Sequence, residues 1–563
     1  MKRRQALARI GAMSLLSSGS LAMPGIPDCS SGTPPSPDEP LAIDVHCHVC
    51  NASDLQVKDF IEEVVAFEKH LDPRLANILA RLATTLAWMA PRAKDEAVLF
   101  DRPGSQPDAP LAQVESLRSD LKRTADAQER RVRDAIDRTL RTDPRLRELA
   151  RDYAHPRRIN ADGCRSPATP RDLAPAFTDL AHSDFRTAAD VTSFFALAGP
   201  AQIKELLVSM LRHRYKNCFS IFDAYSCVGG AVDMYCPALL DYDFWLGGGA
   251  ATKSPLADQY IVMERVMRLM QGRFHAYAPF NPWRQAVDRS GHYFRDMQDA
   301  VEKRGFIGIK LYPSIGFAPY GNVDALQAHE APPSWRRAGF PGVEALDRAM
   351  DTLFAWCNAR GVPILAHAGP SFGPDGASDA LGGPTYWRKA IDRMQSIAQS
   401  RGTTPAPVCF GHSGGAYLEC DHKPAWPVDF ARLMHDFPNA YGDLSYWDDF
   451  IGASPERYDN AVGTLKAMHA EWSGIDQRLM YGSDWNLLLQ EKDWAQYLNR
   501  FAPAIRTGGF DDVGLRRILG PNAAAFLGLA QSSGPNSNRP RLDALYGRWQ
   551  VAPAWRSKVD RIG

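Results

Sequence analysis

The sequence has no surplus of either charge. Its 65 lysines and arginines are matched by 65 aspartates and glutamates, so the formal net charge is zero. A strongly basic surface for nucleic acid is thereby excluded. Past the N-terminus it also lacks any uncharged apolar run near the roughly 20 residues that a spanning helix needs. Cysteine is sparse, ten in 563 residues, which is too few for a disulfide framework. Cys47 and Cys50 form a lone C-x-x-C with no second pair at zinc-ribbon spacing, so neither a redox motif nor a structural zinc ribbon is indicated. What is present is ordinary globular composition, 45% apolar and 23% charged, which excludes wholesale disorder.

The N-terminus stands apart. Lys2-Arg3-Arg4 precedes a mildly apolar stretch, Ala6 to Ala22, and Ser20-Leu21-Ala22 supplies a small-x-small cleavage signal. The paired arginines resemble a twin-arginine export signal over residues 1–28, which predicts a periplasmic or secreted protein. Residues 1–28 fused to a reporter are expected to carry it to the periplasm in a twin-arginine-dependent way, and cytoplasmic retention would contradict this. Residues 29–40, rich in Ser and Pro, read as a linker.

From Leu41 the pattern becomes short apolar runs separated by longer helical stretches. Eight such runs occur: 41–48, 230–240, 273–280, 305–313, 362–369, 407–414, 439–446 and 478–485. From the third onward they alternate with helix-like segments, such as FRDMQDAVEKR and VEALDRAMDTLFAWCNAR. That alternation implies right-handed crossovers and a parallel sheet, and eight repeats close a (β/α)8 TIM barrel within an α/β fold. The barrel is expected over 41–54 and 226–530. Residues 55–225 far exceed one connection, and stretches such as LAQVESLRSDLKRTADAQERRVRDAIDRTLR read as amphipathic helix. This helical insertion leaves from the C-terminal end of the first strand. It is expected either to cover the barrel mouth as a lid or to serve as a packing element or homodimer contact. The tail, 531–563, is expected to wrap the barrel.

Barrel enzymes carry their chemistry at the C-terminal ends of the strands. The first strand ends in His46-Cys47-His48, whose imidazoles at i and i+2 face the same side and form half of a metal site. The fourth ends in Lys310, which must be paired, neutral or modified at the end of an apolar strand. The fifth ends in His367, the sixth in His412 and the eighth in Asp484. Any one of these has a structural reading, but their recurrence at one end of five strands points to a shared site. Arg284 and Tyr312 are candidates to bind a substrate carboxylate or carbonyl, with loop tethering as the alternative. Trp447 and Trp485 either floor an aromatic pocket or simply pack.

The joint pattern of Gly308-x-Lys310, His367-Ala368-Gly369, Gly411-His412-Ser413-Gly414-Gly415 and Gly482-Ser483-Asp484 resembles the amidohydrolase superfamily of metal-dependent barrel hydrolases, most closely its amidohydrolase-related (amidohydrolase 2) branch. The segment ILGPNAAAFLGL, 518–529, is similar to that branch's closing helix. The resemblance covers 41–54 and roughly 230–530, with no match in the long insertion. Asn486 stands where the branch usually has proline, a loop-level departure.

By position, the resemblance implies metal ligation by His46, His48, His367 and Asp484. His412 is implied either as a ligand to a second metal or as an acid/base and oxyanion-polarising residue. Lys310 is implied either as a carboxylated bridge between two metals or as an unmodified lysine paired with Asp484 or a substrate anion. Zinc, one or two ions per chain, suits this donor set first. The implied activity is hydrolysis of a small amide, ester or lactone by metal-activated water, with Asp484 as general base. Two alternatives stand beside it. One is a mononuclear nonoxidative decarboxylase or lyase of unsaturated or aromatic acids. The other is a noncatalytic secreted barrel that binds a partner through the insertion.

Overall fold

A computed structural model describes residues 40–65, 73–106, 109, 111–146, 203–226, 232–326, 339–369, 378–416, 426–451, 455–491, 493–534 and 536–562. The export signal, nearly all of the linker and the middle of the insertion lie outside the described residues. The eight apolar runs all form strands: β1 (Ile43–Cys47), β2 (Met234–Pro237), β3 (Tyr277–Pro279), β4 (Gly308–Leu311), β5 (Ile364–His367), β6 (Val408–Gly411), β7 (Ala440–Asp443) and β8 (Leu479–Met480). Every residue in them is buried, as expected of a parallel sheet covered on both faces.

Strands β3 to β8 pair in sequence order and in parallel, and β1 pairs with β2. Single parallel bridges, Tyr235 to Phe274 and Ala238 to Tyr277, carry the ladder from β2 to β3. At the other seam the Val45 N–H donates to the Tyr481 carbonyl (3.1 Å) and the His48 N–H to that of Trp485 (3.1 Å). Each strand is thus hydrogen-bonded to the next and the last to the first, and the α/β fold is a (β/α)8 barrel.

The connecting helices follow from local rules. The helix Pro384–Arg401 starts with proline at its first position and stops at Gly402 (φ 64°). The helix Glu344–Arg360 ends likewise at Gly361 (φ 58°). Both use the permissive ends of the helix as expected.

Between β1 and β2 the longer described helices are α1 (Pro73–Leu86), α2 (Leu111–Thr142), α3 (Ile203–Leu211) and α4 (Arg214–Ser226). Along α2, Leu117, Leu121, Ala125, Val132, Ile136 and Leu140 are buried at spacings of mostly four residues, forming one apolar stripe on a charged helix. No helix among the described residues is long and apolar enough to cross a membrane.

The tail forms two further helices, α5 (Asn538–Trp549) and α6 (Trp555–Ile562). Its contacts fall just before the strand starts. Asn538 Nδ2 donates to Ile307 O (2.6 Å), Trp555 Nε1 to Gly272 O (3.0 Å), and His275 Nε2 meets the Tyr546 hydroxyl (2.5 Å). Lys558 Nζ pairs with Asp233 at 2.9 Å, both side chains 1% exposed. The tail therefore straps the N-terminal end of the barrel, opposite the C-terminal strand ends. Removing one partner of a buried pair strands the other charge, at a cost of roughly 3–5 kcal/mol. Lys558→Met is expected to lose about that much stability in urea denaturation, and a loss below ~1 kcal/mol would contradict the strap.

Candidate metal centre

The strand ends gather His46, His48, Lys310, His367, His412 and Asp484 into one contiguous cluster, each at most 9% exposed. Glycines make room for it. A Cβ on Gly411 would sit 3.0 Å from the His46 ring, and one on Gly482 would sit 3.0 Å from His46 Cβ and 2.9 Å from Ser445 Cβ. The backbone is strained at the same place. Of eight described non-glycine residues with positive φ, five are His412, Ser413, Tyr446, Asp484 and Asn486, at the ends of β6, β7 and β8. Each such conformation costs on the order of 1–3 kcal/mol and persists only where the surroundings enforce it.

Hydrogen bonds behind the rings fix their tautomers. His46 Nδ1 lies 3.1 Å from Asp443 Oδ2 and 2.8 Å from Ser445 Oγ, so its proton sits on Nδ1. His48 Nδ1 donates to the Ala238 carbonyl (2.8 Å) and His412 Nδ1 to that of Ser445 (2.9 Å). His412 Nε2 is then a lone pair that accepts from His367 Nδ1 (3.1 Å). That leaves His367 Nε2 as a buried lone pair with no hydrogen-bond partner. Asp484 Oδ1 is also buried without a hydrogen bond, although His48 Nε2 approaches to 3.2 Å and His46 Nε2 to 3.9 Å. The interior is thus rich in acceptors, with Nε2 lone pairs and a carboxylate all turned inward.

One cation already answers part of that demand. Lys310 Nζ lies 2.7 Å from His46 Nε2, so its partner is His46 rather than Asp484. Burial lowers the Lys310 ammonium to about 8, against the opposing charges of Asp484 and Asp443. Burial and the Lys310 charge push His46 down to about 3, which keeps the imidazole neutral and able to ligate. Burial, then His412 and Lys310, also lower His367. For Asp484, burial acts upward, but the surrounding His48, His46 and His412 hold the carboxyl well below the usual range.

Two carboxylates belong to this network that the sequence did not single out. Asp443, at the end of β7, accepts from His46 Nδ1, the His412 N–H (2.9 Å), the Ser445 N–H (3.0 Å) and the Ser445 hydroxyl (2.6 Å). It groups with His46 and His412 as one cluster of metal-capable atoms, and His46, His48 and Asp484 form another. In the first, however, the His46 atom in contact is the protonated Nδ1, so Asp443 acts behind the ring and orients it. Asp44 accepts from the Ser483 N–H (3.0 Å) and hydroxyl (2.5 Å), joining β1 to the Asp484 loop. Burial raises it to about 7 against those hydrogen bonds. A signal for both existed, since each is a carboxylate within an apolar strand run.

The other candidates separate. Tyr312 stacks on the His367 ring (4.4 Å, 18°) and meets Tyr242 and Trp245 edge-on or tilted, at 5.2 and 5.8 Å. A small cavity next to it is lined by Leu239, Pro279, Phe280, Lys310, Tyr312 and Ile315. Arg284 makes no contact with the cluster. It binds Asp241 through two hydrogen bonds (2.7 and 2.6 Å) and also Asp243 (2.5 Å), so its charge is already answered and its geometry is that of a loop tether. Trp447 and Trp485 are fully buried and pack, Trp447 also donating to the His412 carbonyl (3.0 Å).

The amidohydrolase family model matches residues 275–529. This segment belongs to the amidohydrolase family. The match runs from the approach to β3 to the end of the barrel and includes Lys310, His367, His412 and Asp484. His46 and His48 precede the amidohydrolase segment and reach the cluster through β1.

Solved structures similar to the chain include a probable 2-pyrone-4,6-dicarboxylic acid hydrolase from Acinetobacter baumannii with citric acid bound. It is 15% identical with TM-score 0.32, and the match covers 56% of this chain and 88% of that one. A zinc-bound amidohydrolase from Burkholderia multivorans is 12% identical over 53% and 83%, with TM-score 0.33. The apo IDCase of Metarhizium anisopliae is 15% identical over 56% and 78%, also at 0.33. No curated protein matches the chain.

The donor set fits a divalent cation. Imidazole nitrogens and carboxylates are what zinc-class ions bind. His46, His48 and Asp484 bring such atoms within reach of one another, while His367, outside that group, adds a buried Nε2 without a hydrogen bond.

Proposed function

We propose that the protein is a metal-dependent hydrolase of a small amide, ester or lactone. The observation that carries this reading is the inward ring of acceptors, in which two buried atoms, His367 Nε2 and Asp484 Oδ1, have no hydrogen-bond partner. His46, His48, His367 and Asp484 are the residues that hold the cation. A zinc-class ion there supplies a Lewis acid that brings the pKa of water toward neutrality.

The chain's own groups supply the proton handling. Asp484 takes the proton of the attacking water and passes it to the leaving group. His412, held by Nδ1–H on the Ser445 carbonyl and by Nε2 on His367 Nδ1, orients the His367 ring and lies beside the position of the developing oxyanion. Lys310 Nζ bonds His46 Nε2, the one lone pair that ring has to offer an ion, so His46 would ligate only as Lys310 gives up that contact. Residues 1–28 are proposed to export the protein, placing this activity in the periplasm or outside the cell.

A second reading, nonoxidative decarboxylation of an unsaturated or aromatic acid, is favoured by one feature. The Tyr312 ring, stacked on His367 and backed by Tyr242 and Trp245, offers a flat wall beside the cluster. One experiment separates the two. The purified zinc-loaded protein is assayed against a panel of lactones, esters, amides and unsaturated or aromatic carboxylic acids, with hydrolysis and carbon dioxide release followed in parallel. Hydrolysis of a panel member without carbon dioxide supports the hydrolase. Carbon dioxide release without hydrolysis replaces it with the decarboxylase.

A further inference from the structure

The insertion between β1 and β2 lies outside the amidohydrolase segment, yet its last helix reaches the cluster from behind. Along α4, Arg214, Asn217, Ile221 and Tyr225 recur at three- and four-residue spacing and are all fully buried, so they form one face. That face lies against the turn that follows His48 and against the Asp484 loop.

At its N-terminal end, Arg214 grips the turn. Its guanidinium takes both oxygens of Asp54 (2.9 and 2.5 Å), Glu96 (2.7 Å) and the Ser53 hydroxyl (2.8 Å). One turn on, Asn217 Nδ2 donates to the Cys50 carbonyl (3.2 Å), two residues past His48. The same carbonyl accepts from Asn486 Nδ2 (3.2 Å), two residues past Asp484. At the far end, the Tyr225 ring packs edge-on against Trp485, Asp484's neighbour, at 5.9 Å. The Ala52 N–H also donates to the Met210 carbonyl of α3 (2.6 Å).

A helix that needed only to cover the barrel could do so with apolar side chains at lower desolvation cost. Here a fully buried arginine and asparagine are spent on one short turn. Because that turn leaves directly from His48, its position sets where the His48 ring stands relative to Asp484, 3.2 Å away.

We propose that Arg214 and Asn217 are positioning residues of the metal centre, so that the insertion is part of the site's supporting frame. This rests on the metal-centre reading above. Partners that orient ligands typically change metal affinity by roughly 10–100-fold, so a similar effect is expected here.

The test uses the full chain. Zinc affinity is measured by chelator competition on the apo forms of wild type, Asn217→Ala, Arg214→Lys and Lys558→Met. The Arg214→Lys variant keeps the charge but loses the fork. Lys558→Met disrupts the strap at the opposite end of the barrel, so it controls for lost stability alone.

The expected result is zinc binding about tenfold or more weaker in Asn217→Ala and Arg214→Lys, with Lys558→Met within about twofold of wild type. If Arg214→Lys does not fold, Asn217→Ala decides. Folded variants that bind zinc as wild type does would overturn the positioning role while leaving the metal centre in place. Equal weakening in Lys558→Met would also overturn it, by tracing the effect to stability. A wild type that binds no zinc would instead remove the metal-centre reading itself.

Discussion

Asp484→Asn is expected to reduce turnover to background and to release the bound cation, while the protein stays folded. Asparagine tolerates the left-handed backbone that Asp484 adopts (φ 53°) better than alanine does, so the exchange removes charge with little added strain. The carboxylate sits in a fully buried ring of imidazoles with Oδ1 lacking a hydrogen bond. Its neighbours favour the ionised form over the protonated one, and its loss also takes the only anion from the proposed ligand set. The apo variant should therefore unfold in urea somewhat earlier than apo wild type while remaining folded in buffer, and should hold far less zinc. His46→Ala, which deletes the ring shared by both metal-capable groups, is expected to show the same loss of zinc and turnover. Near-normal turnover in either would remove the site assignment.

Asp443→Ala is expected to damage both stability and metal binding. This carboxylate is fully buried and accepts from His46 Nδ1, the His412 and Ser445 N–H groups and the Ser445 hydroxyl. Burial acts to raise its pKa, yet His46, His412 and Ser445 hold it well below the usual carboxylate range, so it is ionised at any working pH. Removing it leaves those donors unanswered and frees the His46 ring to turn. The cost is of the order of breaking a buried pair, roughly 3–5 kcal/mol, with zinc affinity falling by about 10–100-fold. Asp443→Asn keeps the shape and should separate the two effects, with the affinity loss persisting and the stability loss shrinking. Urea denaturation and chelator competition read them independently. Zinc affinity within twofold of wild type in both variants would show that Asp443 does not orient a ligand.

Much of this was legible in the sequence, for identifiable reasons. A buried parallel strand is short, apolar and bounded by turn residues, so all eight runs could be found, and the helices between them carried their own caps. The amphipathic reading of 111–141 holds because its apolar stripe is written at helical spacing. The cluster residues were found by their recurrence at strand ends, a signal that needs no tertiary information. Asp443 works behind His46, so its place as a carboxylate inside an apolar strand run is a signal of burial but not of its partner. Arg284 looked available because its partners, Asp241 and Asp243, come from the preceding strand's loop and only the fold brings them together. The hold of α4 on the His48 turn was illegible for the same reason, since Arg214 and Asp54 lie 160 residues apart.

A divalent cation held by this buried, acceptor-rich cluster should be found by elemental analysis of full-length protein purified without chelators or added metal, before and after reconstitution with zinc. At least one zinc-class ion per chain is expected, lost in Asp484→Asn. A second ion would further point to a carboxylated Lys310 bridging the two. Wild-type protein that retains no stoichiometric metal even after reconstitution would contradict a metal centre at this cluster, and the hydrolase reading would fall with it.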